Sequence, residues 1–185
     1  VLDLEQLAAH RGSVLGALPD SPQPSQKRFE TLVWQALRGF DATRPVYVES
    51  ESRKIGQLQV PDGLILHMRS QGRMVLVDMP LASRIELLLQ DYAHFADDVE
   101  GFCGLLATMI ELRGHEKVNH WQSLARDGRW AEVFEALVTD HYDPLYLKSL
   151  GQNYAGLDQA LQLNVADGNE KALRETAQGL IGQFG

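Results

Sequence analysis

Apolar positions along the chain follow two periods, and their order predicts a doubly wound α/β protein. Val1-Leu2-Asp3-Leu4 reads as a short strand, and Glu5 to His10 can start a helix. Gly16 and a Pro/Ser-rich stretch from Pro19 to Pro24 make a loop. From Ser25 the stripe Phe29, Leu32, Val33, Ala36 and Leu37 has the i, i+3, i+4, i+7, i+8 spacing of an amphipathic helix, with Gly39 as its stop at C′. Val46, Tyr47 and Val48 follow a proline and are β-formers, so they read as a buried strand. That strand ends in the polar run Glu49-Ser50-Glu51-Ser52-Arg53-Lys54. Pro61 to Gln71 reads as a short helix with Leu64, Ile65 and Met68 inward. Met74 to Val77, closed by Asp78, is a near-continuous apolar strand of the kind buried on both faces of a parallel sheet. Pro80 then opens a helix with Leu81, Ile85, Leu88, Leu89 and Tyr92 on one face. Strand, helix, strand, helix predicts a parallel sheet with right-handed crossovers.

Beyond Phe95 the period is helical throughout. Asp97-Asp98-Val99-Glu100 caps a region whose stripes are Phe102, Leu105, Leu106, Met109 and Ile110, then Val118, Trp121, Leu124 and Ala125, then Trp130, Val133, Phe134, Leu137 and Val138. Leu161, Leu163 and Val165 alternate and suggest one more strand. Asn169 to Ile181 reads as a closing helix with Leu173, Ala177, Leu180 and Ile181 inward. The expected organisation is an α/β core over residues 1–96, a helical insertion over 97–150, and a closing strand and helix over 151–185.

Composition narrows the class without changing this picture. With 44% apolar and 23% charged residues the chain is globular rather than disordered. No run approaches the roughly 18 apolar residues of a membrane span, and no signal-peptide pattern is visible. The lone Cys103 forms no internal disulfide and offers no zinc pair, which fits a reducing cytoplasm. The net charge of −8 is unevenly spread. Through Arg84 ten Lys/Arg stand against nine Asp/Glu; from Ile85 onward seven stand against sixteen. A polyanion is therefore expected to meet the first half. Val1 falls inside a strand-like segment, which suggests a fragment of a longer protein.

The candidate chemistry clusters at the predicted strand ends, where open parallel sheets bind ligands. Glu49 is the acidic residue at the central strand's carboxyl edge, and Ser52 and Arg53 follow it. Arg11, Gly12 and Ser13 combine a guanidinium fork with a glycine that lets backbone N–H groups approach an anion. Gln26, Lys27 and Arg28 occupy the first turn of a helix, where cations oppose the dipole unless an anion is near. Arg84 lies one turn into the next helix. His141-Tyr142-Asp143-Pro144-Leu145-Tyr146 reads as a helix start, with Asp143 as N-cap and Pro144 at N1. Its tyrosines can line an apolar pocket or stack on a base. Other chemistries fit less well. His115 and His120 are five apart, off the spacing that puts two ligands on one helix face. There is no GxSxG elbow, and Cys103 sits on an apolar stripe as an inert thiol.

Taken in order, VLDLEQLAAHRGSVLG, PQPSQKRFE, PVYVESESRKIG, MVLVDMPLASRIELLLQDY and HYDPLYLKSL resemble the C-terminal portion of bacterial tRNA 2-selenouridine synthases over essentially the whole chain. The resemblance implies a P-loop-type domain preceded by a rhodanese domain with the catalytic cysteine, neither that domain nor the GxxxxGK(S/T) loop being present from Val1 onward. It implies that the missing first strand sits between Val46–Val48 and Val75–Val77, so that the isolated piece is poorly stable. It implies transfer of selenium from selenophosphate to a wobble 2-thiouridine of tRNA, through an S-geranylated intermediate made from geranyl diphosphate, with no covalently bound cofactor and with Mg²⁺ possible. On that reading Arg11, Gly12, Ser13, Gln26, Lys27, Ser52, Arg53 and Arg84 bind phosphate. Glu49 takes an acidic, Walker-B-like position, and Tyr142 and Tyr146 line a prenyl or base pocket. Two alternatives remain open: a P-loop small-molecule phosphotransferase and a non-catalytic tRNA-binding module.

Overall fold

The computed structural model describes residues 1–19, 21–50, 52–154 and 157–184. Asp20 of the Pro/Ser-rich loop and Glu51 of the polar strand end lie outside them. The chain forms two compact units, Val1–Gly72 with the residues from Gly182, and Arg73–Ile181.

In the first unit Leu2 makes a single parallel bridge to Val48, sealed by Leu2 N–H donating to Tyr47 O at 2.8 Å. Helix α1 (Leu4–Ala8) starts at once, because Asp3 caps it by accepting from Gln6 N. The expected opening strand is thus one residue of pairing followed by a helix. Helix α2 (Gln26–Arg38) is capped by Ser25, whose side chain accepts from Arg28 N. Gly39 ends it with φ −81°, so the stop uses no left-handed residue. Strands β1 (Lys54–Ile55) and β2 (Leu58–Gln59) form a tight antiparallel hairpin, and helix α3 (Asp62–Gln71) follows. Leu2, Leu4, Ala8, Phe29, Val33, Ile55, Leu58, Val60 and Ile65 make the core. Fully burying a side chain such as Phe29 is worth about 1.5–3 kcal/mol, and it is 0% exposed.

The stretch 46–48 departs from its expected burial. Val46 is 39% exposed and only Val48 pairs, because among the described residues its partner segment offers Leu2 alone before turning into α1.

In the second unit β3 (Val75–Asp78) pairs in parallel with β4 (Leu161–Asn164), Val75 opposite Leu161 through Asp78 opposite Asn164. The expected two-sided burial of 75–77 does not hold: Val77 is 57% exposed. Among the described residues this sheet has two strands, so β3 is paired on one edge by β4 and has no second ladder to enclose it. Helices α4 (Leu81–Asp91), α5 (Val99–Ala107), α6 (Ile110–Arg113), α7 (His115–Arg126) and α8 (Trp130–Leu137) follow; α5, α7 and α8 bury their predicted stripes, while that of α4 is only half-buried. Phe102, Leu106, Val118, Trp121, Val133 and Leu137 are at most 1% exposed. Asp98 caps α5, accepting from Gly101 N at 2.9 Å.

A π-helical turn over Val138–Tyr142 runs without a break into α9 (Asp143–Asn153). Asp143 has helical φ −60° and ψ −45°, so it is not the N-cap its sequence suggests. Its carboxylate is engaged by Arg84 instead. Helix α10 (Glu170–Phe184) forms where expected, but its stripe stays outside, with Leu173 38% and Ile181 47% exposed. The described residues therefore form a helix-rich α/β protein with small parallel pairings rather than a wide doubly wound sheet.

Candidate functional site

The first unit brings Asp3 and Glu49 to the C-terminal ends of the Leu2 and Val48 segments. Asp3 and Glu49 follow those paired residues directly, so two carboxyl groups lie side by side. The Glu49 carboxyl is pushed above its usual range, first by desolvation and then by the negative charge of Asp3. Much of the residue's surface still meets solvent, so the crowding is local to the carboxyl.

The loop His10–Gly16 stands after α1. Ala9 turns the chain into it in the left-handed conformation, φ 50° and ψ 46°, and Gly12 has φ 68°. Arg11 N donates to Gly16 O, Ser13 N to Arg11 O, and Gly16 N to Ser13 O, at 2.8–2.9 Å. Gly12 N donates to His10 Nδ1 at 3.1 Å. These four amides are thus spent inside the loop. The Ser13 hydroxyl accepts from Leu15 N at 3.2 Å and keeps its own proton to donate. Arg11 is half-buried.

Gln23 ties the end of α1 to the hairpin. Its Nε2 donates to Ile55 O at 2.9 Å and Ala8 O at 3.3 Å, and its Oε1 accepts from Gln57 N at 2.8 Å. Gln26 serves the same hairpin. Its amide donates to Gln59 O and accepts from Gln59 N, both at 2.8 Å, as a neighbouring strand would. Lys27 and Arg28 are exposed. Ser52 Oγ donates to Lys54 O and accepts from Lys54 N, and Arg53 forms an exposed ion pair with Asp62.

Helices α2 and α3 flank an apolar groove of about 610 Å³, lined by Val33, Trp34, Leu37, Pro61 and Leu64 with Glu30 and His67 at its polar positions. Trp34 is 55% exposed, and the Arg38 guanidinium lies 4.7 Å from its ring centre.

The other candidates belong to the second unit. Arg84 grips Asp143 through two bonds, Nη1 to Oδ2 at 2.9 Å and Nη2 to Oδ1 at 2.5 Å, and this pairing holds its proton more tightly than usual. Lys117 pairs with Asp140 at 3.2 Å. Arg113 donates to His141 Nδ1 at 2.9 Å and His141 O at 3.1 Å. Burial, and then the Arg113 charge, lower the His141 pKa. Two cations, Lys117 and Arg113, thus hold the π-helical turn, and Arg84 holds the first residue of α9. Tyr142 stacks edge-on against His141 at 4.7 Å, and Tyr146 is 50% exposed. Cys103 is buried and its thiol pKa is raised by that burial. Among the described residues no three His, Cys, Asp or Glu side chains converge as metal ligands, and no helix is long and apolar enough to cross a membrane.

Asp3, His10 and Gln23 are absent from the sequence-derived set. Asp3 was legible as a helix N-cap, with Gln6 three residues on. Nothing local marks His10 or Gln23, whose partners are set by the loop and the hairpin.

The fold and this arrangement define a helix-rich α/β protein with acidic and basic side chains gathered at parallel strand ends. The chain belongs to the tRNA 2-selenouridine synthase AAA domain family, whose pattern matches residues 1–105. It is 41% identical over 95 residues to the tRNA 2-selenouridine synthase of Nitrosomonas europaea, covering 50% of this chain and 24% of that one. It is 32% identical over 179 residues to the enzyme of Marinobacter nauticus, covering 82% and 48%, and 33% identical over 173 residues to that of Alcanivorax borkumensis, covering 78% and 47%. The chain spans about half the length of these curated relatives, or less. No solved structure gives a significant match.

Proposed function

We propose that this chain is the substrate-binding portion of a cytoplasmic tRNA 2-selenouridine synthase, a transferase that converts wobble 2-thiouridine to 2-selenouridine. In this reading an S-geranylated intermediate is formed from geranyl diphosphate and resolved by selenophosphate, with a rhodanese domain and a P-loop completing the enzyme. The observation that supports the reading is the pair of carboxyls that Asp3 and Glu49 bring to the ends of the parallel Leu2–Val48 pairing, in the same unit as the Arg11–Ser13 loop. Arg11 and the Ser13 hydroxyl bind diphosphate oxygens, with Gly12 keeping the loop tight. Lys27, Ser52 and Arg53 widen the anion-attracting surface, and Gln26 supports it by holding the hairpin. Glu49 is the acid-base or metal-orienting carboxylate. Mg²⁺ is commonly held by one or two carboxylates plus substrate phosphates, and Asp3 with Glu49 is a donor set of that kind. The apolar α2–α3 groove, within the 300–1,000 Å³ range of ligand sites, suits a prenyl chain. In the second unit Arg84 adds a phosphate-binding cation, and Tyr142 and Tyr146 contact a base within a helical subdomain over residues 97–150.

The test uses the full-length enzyme. Arg11→Ala removes charge-assisted bonds worth about 1.5–3 kcal/mol, so geranyl diphosphate affinity should fall about tenfold or more. Selenouridine formation in tRNA should fall with it. Unchanged affinity and unchanged product would refute the assignment.

A further inference from the structure

His10 is 8% exposed, yet it is neither a ligand candidate nor part of an apolar stripe. Its imidazole is wedged between two glycines. A Cβ on Gly16 would fall 3.0 Å from His10 Cε1 and Nδ1, and one on Gly56 would fall 2.8 Å from Cδ2 on the opposite edge of the ring. Its backbone is fixed as well: His10 N donates to Glu5 O at 3.1 Å, and His10 pairs with Ala17 across the loop. Among the described residues the ring's polar contact is inward, Nδ1 accepting from Gly12 N at 3.1 Å. A ring that accepts at Nδ1 is neutral and carries its proton on Nε2. The segment it controls is the one with unusual backbone. Ala9 is the sole described non-glycine residue with positive φ, and Gly12 is also left-handed. Such conformations persist only where surrounding contacts over-determine them.

We propose that His10 is the positioning residue of the 10–16 loop. Its neutral imidazole takes the Gly12 N–H and so sets the conformation that presents Arg11 and Ser13 to an anionic substrate. This rests on the phosphate-binding reading of that loop. His10 does not touch the substrate; it decides where the two residues that do are held.

Two substitutions separate this role from simple packing. His10→Asn keeps an acceptor close to the Nδ1 position but leaves a void. His10→Leu fills the space but offers no acceptor. Packing alone ranks Leu above Asn; positioning ranks Asn above Leu. Binding of inorganic diphosphate to the chain is measured by calorimetry, with circular dichroism as the fold control. His10→Asn should bind within about threefold of the parent and His10→Leu about tenfold more weakly, near the limit of one hydrogen bond. Equal binding by both, or the reverse order, overturns the proposal. A second measurement needs no variant. Nitrogen NMR of the parent chain should find His10 protonated at Nε2, with a coupling across the hydrogen bond from the Gly12 amide to Nδ1. The Nδ1-protonated tautomer overturns the proposal whatever the binding data. If the parent chain fails to bind diphosphate, the phosphate reading of the loop falls, while the NMR result still decides whether His10 holds Gly12.

Discussion

Gly56 sits at the turn of the hairpin with φ +59°, and the space beside it is already filled. A Cβ there would lie 2.3 Å from Gln23 Oε1, 2.8 Å from Gln23 Cδ and 2.8 Å from His10 Cδ2. Gly56→Ala therefore acts twice. The left-handed backbone costs about 1–2 kcal/mol for a residue with a Cβ, and forcing a carbon into a packed site typically costs about 1–3 kcal/mol. Gln23 can recoil only by loosening its bonds to Ile55 O, Ala8 O and Gln57 N, so flexibility offers little relief. A total loss of about 2–5 kcal/mol is expected for the first unit. Gly63 supplies the contrast. It lies in α3 with nothing within 4 Å of its would-be Cβ, so Gly63→Ala should stabilise by about 0.5–1 kcal/mol through helix propensity. Urea unfolding followed by a probe in the first unit, such as Trp34 fluorescence, reads both. The two midpoints should move in opposite directions at unchanged slope. A Gly56→Ala loss under about 1 kcal/mol would refute the claim that Gln23 and His10 pin this turn.

Four further outcomes follow from the structure. Glu49 has a folded-state pKa above its unfolded value, so its contribution is favourable below the usual carboxylate range and is lost as pH rises through the raised value. Glu49→Gln should therefore raise the melting temperature at pH 7, with the gain shrinking as pH falls toward 4.5; an equal gain at both pH values would contradict it. His10 has the opposite linkage, its folded pKa lying below 6.5, so its contribution is intact above 6.5 and lost as pH falls below that value; in His10→Asn the decline in melting temperature between pH 7 and 5 should flatten. The Arg84–Asp143 pair is about one-third exposed on each side, so its charge-assisted bonds are discounted to about 1–2 kcal/mol. A double-mutant cycle on Arg84→Met and Asp143→Asn in urea should return a coupling of that order, and a coupling near zero would show that the pair is incidental. Cys103 should resist alkylation by iodoacetamide in the native chain and react on unfolding, because it is 3% exposed and burial suppresses its thiolate.

Periodicity found the helices because each needs only its own stripe and cap. Ser25 caps α2, Asp98 caps α5, and Phe29, Val33, Phe102, Trp121 and Val133 point inward as their spacing demands. Strand character was less legible. Val46–Val48 and Val75–Val77 are strongly apolar, but burial of a strand depends on neighbours from elsewhere in the chain, and among the described residues those paired neighbours are Leu2 and β4. The stripe of α10 likewise says which side is apolar without saying what covers it.

The candidate residues divide in the same way. The sequence by itself marked Arg11, Gly12, Ser13 and Glu49, because residue type and position after a strand are local properties. Tertiary structure decided what each can do. It spent the Gly12 amide on His10, turned Gln26 into a partner for Gln59, paired Arg53 with Asp62 and Arg84 with Asp143, and set Asp3 beside Glu49. Hydrogen-bond partners and the field at a carboxyl are long-range facts, fixed only when segments distant in sequence meet.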